Sequence, residues 1–266
     1  MNFNEEELHR YSRQIILSEI GVEGQERIMH SKVFIVGAGG LGSPVALYLA
    51  AAGVGEIAIA DMDVVDVSNL QRQVIHHSED LGREKALSAR KKMLAINPNI
   101  KVIAHTTAIN ANNIEELIRG YDFVIDGTDN FAAKFLINDA CVKLGISFSH
   151  GGILRFGGQS MTIAPRKSAC YACLFDAPPP AESVPTCASA GILGSVAGML
   201  GTIQATEALK VIAGFGEPLY DRLLSFDAKS MSFRNINIKR NPKCRVCSKT
   251  EIELKDYEAQ ACEANV

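Results

Sequence analysis

The chain has 266 residues, 47% of them hydrophobic, enough for one sizeable core with a small appendage. Its 27 basic and 30 acidic side chains leave a net charge of −3 and a pI near 6.1, which excludes a broad basic field for nucleic acid or an anionic membrane. Seven cysteines, in a chain that opens on Glu5, Glu6 and Glu7 rather than a secretory signal, predict a cytoplasmic protein whose thiols serve metal binding or catalysis, not a disulfide framework.

Leu8, Tyr11, Ile15 and Ile16 recur at helical spacing before Gly21 and predict an amphipathic N-terminal helix carrying Arg10 and Arg13, with a second short helix through Arg27. Lys32 to Val36 is a continuous apolar run suited to a strand buried on both faces; a helix over Gly42 to Ala52 and a strand over Glu56 to Ala60 follow. The βα alternation continues with a helix over Glu84 to Ala95, a strand over Lys101 to Ala104 and a helix over Asn113 to Ile118. Then come a strand over Phe123 to Ile125, a helix over Phe131 to Leu144 and a strand over Ser147 to Ser149. This order predicts an α/β, Rossmann-like, doubly wound sheet.

After Gly151 the pattern changes to a hairpin, Ile153 to Arg155 and Gln159 to Ile163 flanking a turn at Gly157 and Gly158, so the sheet becomes mixed. Ala177 to Pro185 is a proline-rich crossing, Ala190 to Ile212 a long helix, and Leu223 to Ile238 a hairpin turning near Asp227. The apolar stretch from Ile192 to Ile203 is too short and glycine-rich for a membrane span. Residues 1–248 are expected to form a single domain, with a nucleotide-binding part at 30–150 and a second part at 151–248; the polar tail 249–266 is expected to fray.

Gly37, Gly39 and Gly42 spell G-x-G-x-x-G between a strand and a helix, and Asp61 ends the next strand about 20 residues on. Bare backbone and a helix N-terminus suit phosphate, and Asp61 suits ribose hydroxyls. That pattern serves NAD and ATP alike. Asn69, Gln71, Arg72 and Gln73, with Lys85 opening a later helix, add amides and cations that favour a polyphosphate, and Arg72 and Lys85 are candidate catalytic groups, Lys85 expected on the solvent side. Asp129 lies at the carboxyl end of the sheet and suits either Mg²⁺ or the N-cap of the next helix.

Taken with Arg10-Tyr11-Ser12-Arg13-Gln14, Gly37 to Gly42, Asp61-Met62-Asp63, Ser68-Asn69-Leu70-Gln71-Arg72-Gln73, Thr128-Asp129-Asn130, two Cys-x-x-Cys pairs and Thr186-Cys187, the chain resembles the bacterial ubiquitin-activating-like adenylyltransferases of molybdopterin and thiamine biosynthesis. The resemblance covers nearly the whole length. It implies a cytoplasmic homodimer that uses Mg-ATP to adenylate the C-terminal glycine carboxylate of a small ubiquitin-like sulfur-carrier protein, with a sulfur-donor enzyme as a further partner and no role for nucleic acid or membrane. By position it assigns Gly37, Gly39, Gly40, Gly42 and Asp61 to the nucleotide, Asn69, Arg72 and Lys85 to the phosphates, Asp129 to Mg²⁺ and Arg13 to the other subunit's ATP. Cys187, matching a carrier-joining cysteine of the thiamine-branch enzymes, becomes a candidate nucleophile. One departure is Lys134, where the family often has arginine. Adenylation of a small molecule or a tRNA-linked carboxylate, an NAD-dependent dehydrogenase and a non-catalytic docking dimer are the alternatives.

Cys170-x-x-Cys173 and Cys244-x-x-Cys247 have the composition of a closed Cys₄ zinc site, which makes a structural Zn²⁺ in the C-terminal part the expectation. His76 and His77 are adjacent and predict packing or surface roles; Cys141 is expected in the core and Cys262 in the tail.

Overall fold

Strands β1 (Lys32–Val36), β2 (Glu56–Ala60) and β4 (Phe123–Asp126) are apolar nearly throughout because helices cover both their faces. In the computed structural model, which describes residues 3–179 and 190–257, they sit in an eight-stranded sheet with β3 (Lys101–His105), β5 (Ser147–Leu154), β6 (Gly157–Ile163), β7 (Arg222–Asp227) and β8 (Ser232–Asn237). The order is β3-β2-β1-β4-β5-β6-β7-β8; pairing is parallel from β3 to β5 and antiparallel from β5 to β8. From β1 the chain winds outward to β2 and β3, then returns to lay β4 on the other side of β1. That reversal opens a crevice at the carboxyl ends of β1 and β4, where open α/β sheets bind ligands.

Helices α3 (Gly42–Ala52) and α4 (Lys85–Ile96) share one apolar cluster with the sheet, while α5 (Ile114–Ile118) and α6 (Phe131–Leu144) build the cluster on the opposite face. The helices α1 (Glu5–Ile15) and α2 (Gly21–His30) close the amino-terminal edge. Asn4 and Glu7 form a reciprocal cap on α1. Buried Tyr11 sits over Gly53 and accepts from Asn97 Nδ2 at 2.8 Å, and Gln14 donates to Ala52 O at 3.1 Å, so α1 is tied to the carboxyl end of α3.

The short α7 (Tyr171–Leu174) carries Cys173, and α8 (Gly194–Ala213) lies across the face that holds α3. α8 begins four residues later than Ala190. The expected hairpin is one continuous β5 that turns at Arg155 and Phe156, with Arg155 at φ 55°; Gly157 and Gly158 belong to β6. Gly158 is glycine because a Cβ would stand 2.5 Å from the Phe226 ring on β7. The β7–β8 turn follows Asp227 as expected, with Asp227 Oδ1 accepting from Lys229 N at 3.0 Å. The segment 249–257 does not fray. Ile252, Leu254 and Tyr257 pack on the α5–α6 cluster, and Arg166 donates to Lys249 O at 2.7 Å. Among the described residues no helix is long and apolar enough to cross a membrane. Cys187, Cys262 and most of the proline-rich crossing lie outside the described residues.

Candidate functional site: a nucleotide cleft and a cysteine cluster

The turn after β1 carries the glycine pattern. Gly37 has φ 95°, and a Cβ there would stand 2.9 Å from Gly127 O, at the end of the neighbouring β4. At Gly42 a Cβ would overlap Gly37 O at 1.8 Å, so only glycine lets α3 start this close to the strand. The result is a cleft of about 570 Å³ at the crevice, lined by Gly37, Gly39, Gly40, Asp61, Arg72, Lys85 and Asp129 among others. The structure thus brings together residues from five separate stretches of sequence. Gly42 supports the cleft from beneath. Asn69, which caps its own 3₁₀ turn by accepting from Asp66 N at 3.2 Å, and Arg13 are not among the lining residues.

Asp61 is engaged from both sides, its Oδ2 accepting from Ala38 N at 2.7 Å and its Oδ1 from Asp63 N at 2.9 Å; burial raises its pKa despite these bonds. A carboxylate has further lone pairs for a ribose hydroxyl. Buried His76 supports the same turn, its ring nitrogens 2.9 Å from Ala38 O and from Ser88 Oγ, a packing role as expected; burial lowers its pKa. Arg72 is steadied by donating to Ser68 O at 3.0 Å.

Lys85 differs from expectation. Its side chain is only 7% exposed and its Nζ lies 2.9 Å from Asp63 Oδ2, because α4 begins deep at the cleft wall. Asp63 itself is 56% exposed, so the pair is an open counter-ion arrangement that an incoming phosphate can replace.

Asp129 is exposed at the cleft, and the helix-cap role belongs to its neighbour: Asn130 Oδ1 accepts from Ala133 N at 2.8 Å. Behind this loop lies a buried group that the residue pattern did not reveal. Lys134 Nζ donates to Thr128 O at 2.7 Å, Gly151 O at 2.6 Å and both oxygens of Asp126, at 3.2 and 3.1 Å; Asp126 also accepts from Thr128 Oγ1 at 2.6 Å and meets His150 Nδ1 at 2.8 Å. Burial alone would push the Asp126 carboxyl up, but the Lys134 charge and the His150 contact bring it down to about 2. Burial lowers the His150 pKa. The Asp126 carboxylate fixes the path of the 127–130 loop and therefore the position of Asp129.

On the far side of α6, Cys170, Cys173, Cys244 and Cys247 bring their Sγ atoms within 4.8 Å of one another, with closest approaches of 3.5, 3.6 and 3.8 Å. Four thiolates about 2.3 Å from one metal at tetrahedral angles stand about 3.8 Å apart, so the donor set fits zinc. Asn241 N donates to Cys173 Sγ and Val246 N to Cys244 Sγ, each at 3.4 Å, bonds that favour the thiolate form. Cys141 is buried in α6, where desolvation raises its pKa well above the usual thiol value; it is core, as expected. His77, Glu79 and Asp80 also converge, but Lys92 Nζ occupies their centre, 2.9 Å from Glu79 and 3.0 Å from both His77 Nδ1 and Asp80 Oδ2.

Residues 11–246 match the model of the ThiF family. The chain belongs to the ThiF family. A sulfur carrier protein adenylyltransferase of Thermus thermophilus is 47% identical, the match covering 97% of this chain and 98% of that relative. The SAMP-activating enzyme E1 of Haloferax volcanii is 45% identical, over 93% and 91% of the two chains. An adenylyltransferase and sulfurtransferase MOCS3 of Drosophila ananassae is 45% identical over 95% of this chain, which spans 57% of that longer relative. Among solved structures, E. coli MccB with ATP superimposes with a TM-score of 0.81 at 24% identity, covering 90% of this chain and 75% of that one, a likeness of fold. The ThiF-family fold thus accounts for the mixed sheet, and family members are adenylyltransferases that use ATP.

Proposed function

We propose that this chain adenylates the C-terminal glycine carboxylate of a small ubiquitin-like sulfur-carrier protein. The carboxylate oxygen attacks the α-phosphorus of ATP, the bond to the bridging oxygen breaks and pyrophosphate leaves, giving a carrier acyl-adenylate that a sulfur nucleophile later converts with release of AMP. The observation that carries this reading is the convergence of Arg72, Lys85 and Asp129 on the same cleft as the glycine turn and Asp61: a hydride-transfer site uses the last two but has no use for the first three. Of the relatives of nearly full-length match, one is named a sulfur carrier protein adenylyltransferase and another a SAMP-activating enzyme E1, which supports the reading.

In this reading the Gly37–Gly42 backbone and the α3 N-terminus hold phosphate, Asp61 holds ribose, and Arg72 and Lys85 neutralise charge on the departing pyrophosphate, Lys85 leaving Asp63 to do so. Mg²⁺, held by Asp129 and phosphate oxygens, would supply further charge neutralisation there. Asn69 acts on phosphate after a shift of its 3₁₀ turn. Arg13 serves the partner's cleft in a homodimer: α1 is tied to the far end of the 11-residue α3, roughly 16 Å from its own glycine turn at about 1.5 Å per residue. Cys187 is the thiol that captures the carrier: its thiolate attacks the acyl-adenylate carbonyl, the acyl–phosphate bond breaks and AMP leaves, giving a thioester. Zn²⁺ is held by Cys170, Cys173, Cys244 and Cys247 as a structural ion.

Carrier-dependent exchange of labelled pyrophosphate into ATP tests the reading. Lys85→Met, which keeps the buried stem and removes the charge, is expected to lower exchange by about 10³-fold with an unchanged melting temperature. Exchange at the wild-type rate in that variant, or exchange that no ubiquitin-like carrier stimulates, would remove the assignment.

A further inference from the structure

The cleft has a wall that the adenylation chemistry does not call on. Across the carboxyl ends of the strands, the proposed phosphate end lies at β1 with Gly37, and Asp61 follows at the end of β2. Thr107, Ala108 and Ile109, just past β3, line the next part of the cleft. In an extended nucleotide whose ribose meets Asp61, that third position takes the base. Leu136 of α6 also lines the cleft, and so do Asp256 and Tyr257 from the far end of the described chain.

These two residues are fixed by specific bonds. Asp256 Oδ1 accepts from Ala111 N at 2.8 Å, which joins the segment to the loop beyond β3. Tyr257 lies 5.3 Å, centroid to centroid, from Phe135 of α6, and its hydroxyl donates to buried Asp139. Both contacts are organised by Arg245, which stands between Cys244 and Cys247. Its guanidinium lies 5.3 Å from the Phe135 ring centroid and 5.4 Å from that of Tyr257, and it donates to Tyr257 Oη at 2.7 Å, Asp139 Oδ2 at 3.2 Å and Asp176 O at 2.9 Å.

We infer that Asp256 and Tyr257 form the nucleoside-side wall of the cleft and contact the bound nucleotide, and that Arg245 of the cysteine-bearing loop is the positioning residue that holds them there. The inference rests on the nucleotide reading of the cleft. The second carboxylate oxygen of Asp256 accepts from a donor on the nucleoside, and the Tyr257 ring gives the base an apolar edge, while neither reaches the phosphates. The cysteine cluster therefore acts on nucleotide affinity as well as on stability.

Calorimetric titration with AMP and, separately, with inorganic tripolyphosphate tests this. Tyr257→Ala and Asp256→Ala are each expected to weaken AMP by about tenfold while leaving tripolyphosphate within twofold of wild type, the loss of one or two polar or ring contacts. Arg245→Met is expected to give the same AMP-selective loss. Asp256 is exposed, so its variant reports even if Tyr257→Ala fails to fold. AMP binding at the wild-type level in Asp256→Ala and in folded Tyr257→Ala overturns the wall, and so does an equal loss for both ligands, which signals general loosening. Wild-type AMP affinity in Arg245→Met overturns the link to the cysteine loop. A wild-type protein that binds neither ligand defeats the nucleotide reading itself, and this inference with it.

Discussion

β1, β2 and β4 are close to continuous apolar runs, whereas β6 to β8 carry Ser160, Thr162, Arg222, Arg234 and Asn235, and on β8 five of six residues are exposed. The first region buries side chains such as Phe34, Ile35, Ile57, Ile59 and Phe123 completely, so burial of apolar area holds it together. In the second region β6 and β7 still bury Met161, Ile163, Leu223 and Phe226, but the outermost strand β8 has little left to bury. What this region has in addition are the paired cysteines, which gather segments 74 residues apart, and the buried Glu207, which accepts from Thr162 Oγ1 at 2.5 Å and from Leu219 N at 2.7 Å. Where apolar area is short, side-chain donors that must converge on one point take over the task of specifying the fold.

The sharpest way to break this contrast is to remove the metal. With zinc in the four-cysteine site, a strong chelator or Cys244→Ser is expected to open residues 164–174 and 238–257 to amide hydrogen exchange while β1 to β4 keep their protection, since structural zinc in small finger peptides contributes about 10 to 16 kcal/mol. Uniform loss of protection across both regions would mean that they fold as one unit; no loss would refute a structural metal.

Acid should act on the first region. Asp126 has a folded pKa of about 2 against an unfolded value of 3.8. A depressed carboxyl pKa stabilises the fold above the unfolded value, and the contribution, roughly 2 kcal/mol, is lost as pH falls through the folded one. Asp126→Asn should therefore flatten the acid limb of the urea midpoint between about pH 4 and pH 2. A limb as steep as wild type would place the titration elsewhere. The smallest effect belongs to the cap of α6: Asn130→Ala is expected to cost about 1 kcal/mol by urea denaturation, with pyrophosphate exchange falling because Asp129 shares the loop. Unchanged exchange at the lowered stability would separate the cap from the site.

How much of this was legible in the residues depends on distance along the chain. The glycine turn, the strand before it and Asp61 at the end of the next strand are local signals, and they came out where expected. The two Cys-x-x-Cys pairs are legible because that spacing, twice in one chain, is the composition of a four-thiolate metal site. Gly157 and Gly158 misled, since a glycine demanded by the Phe226 ring looks the same in sequence as one demanded by a turn. Lys85 looks solvent-facing in the sequence because nothing local reveals that α4 starts at the cleft wall, with Asp63, 22 residues earlier, as its partner. Asp126 and His150 are 24 residues apart, and the tail reads as polar although Ile252, Leu254 and Tyr257 punctuate it and pack on the core. In each case the missing information was which distant element arrives beside the residue.

Helix α8 carries a further consequence in its glycines. A Cβ at Gly194 would stand 2.2 Å from Gln71 O, and one at Gly201 2.5 Å from Leu41 O and 2.4 Å from Pro44 Cγ. Seven residues apart, the two lie on one flank of the helix, so α8 fits against the backbone of two cleft loops like a key cut for a single lock. Rotating it by one residue, about 100°, would drive a side chain into a carbonyl on both loops at once. The helix therefore has one permitted register, and any displacement of the glycine turn or of the Gln71–Arg72 segment must carry all 20 residues of α8 with it.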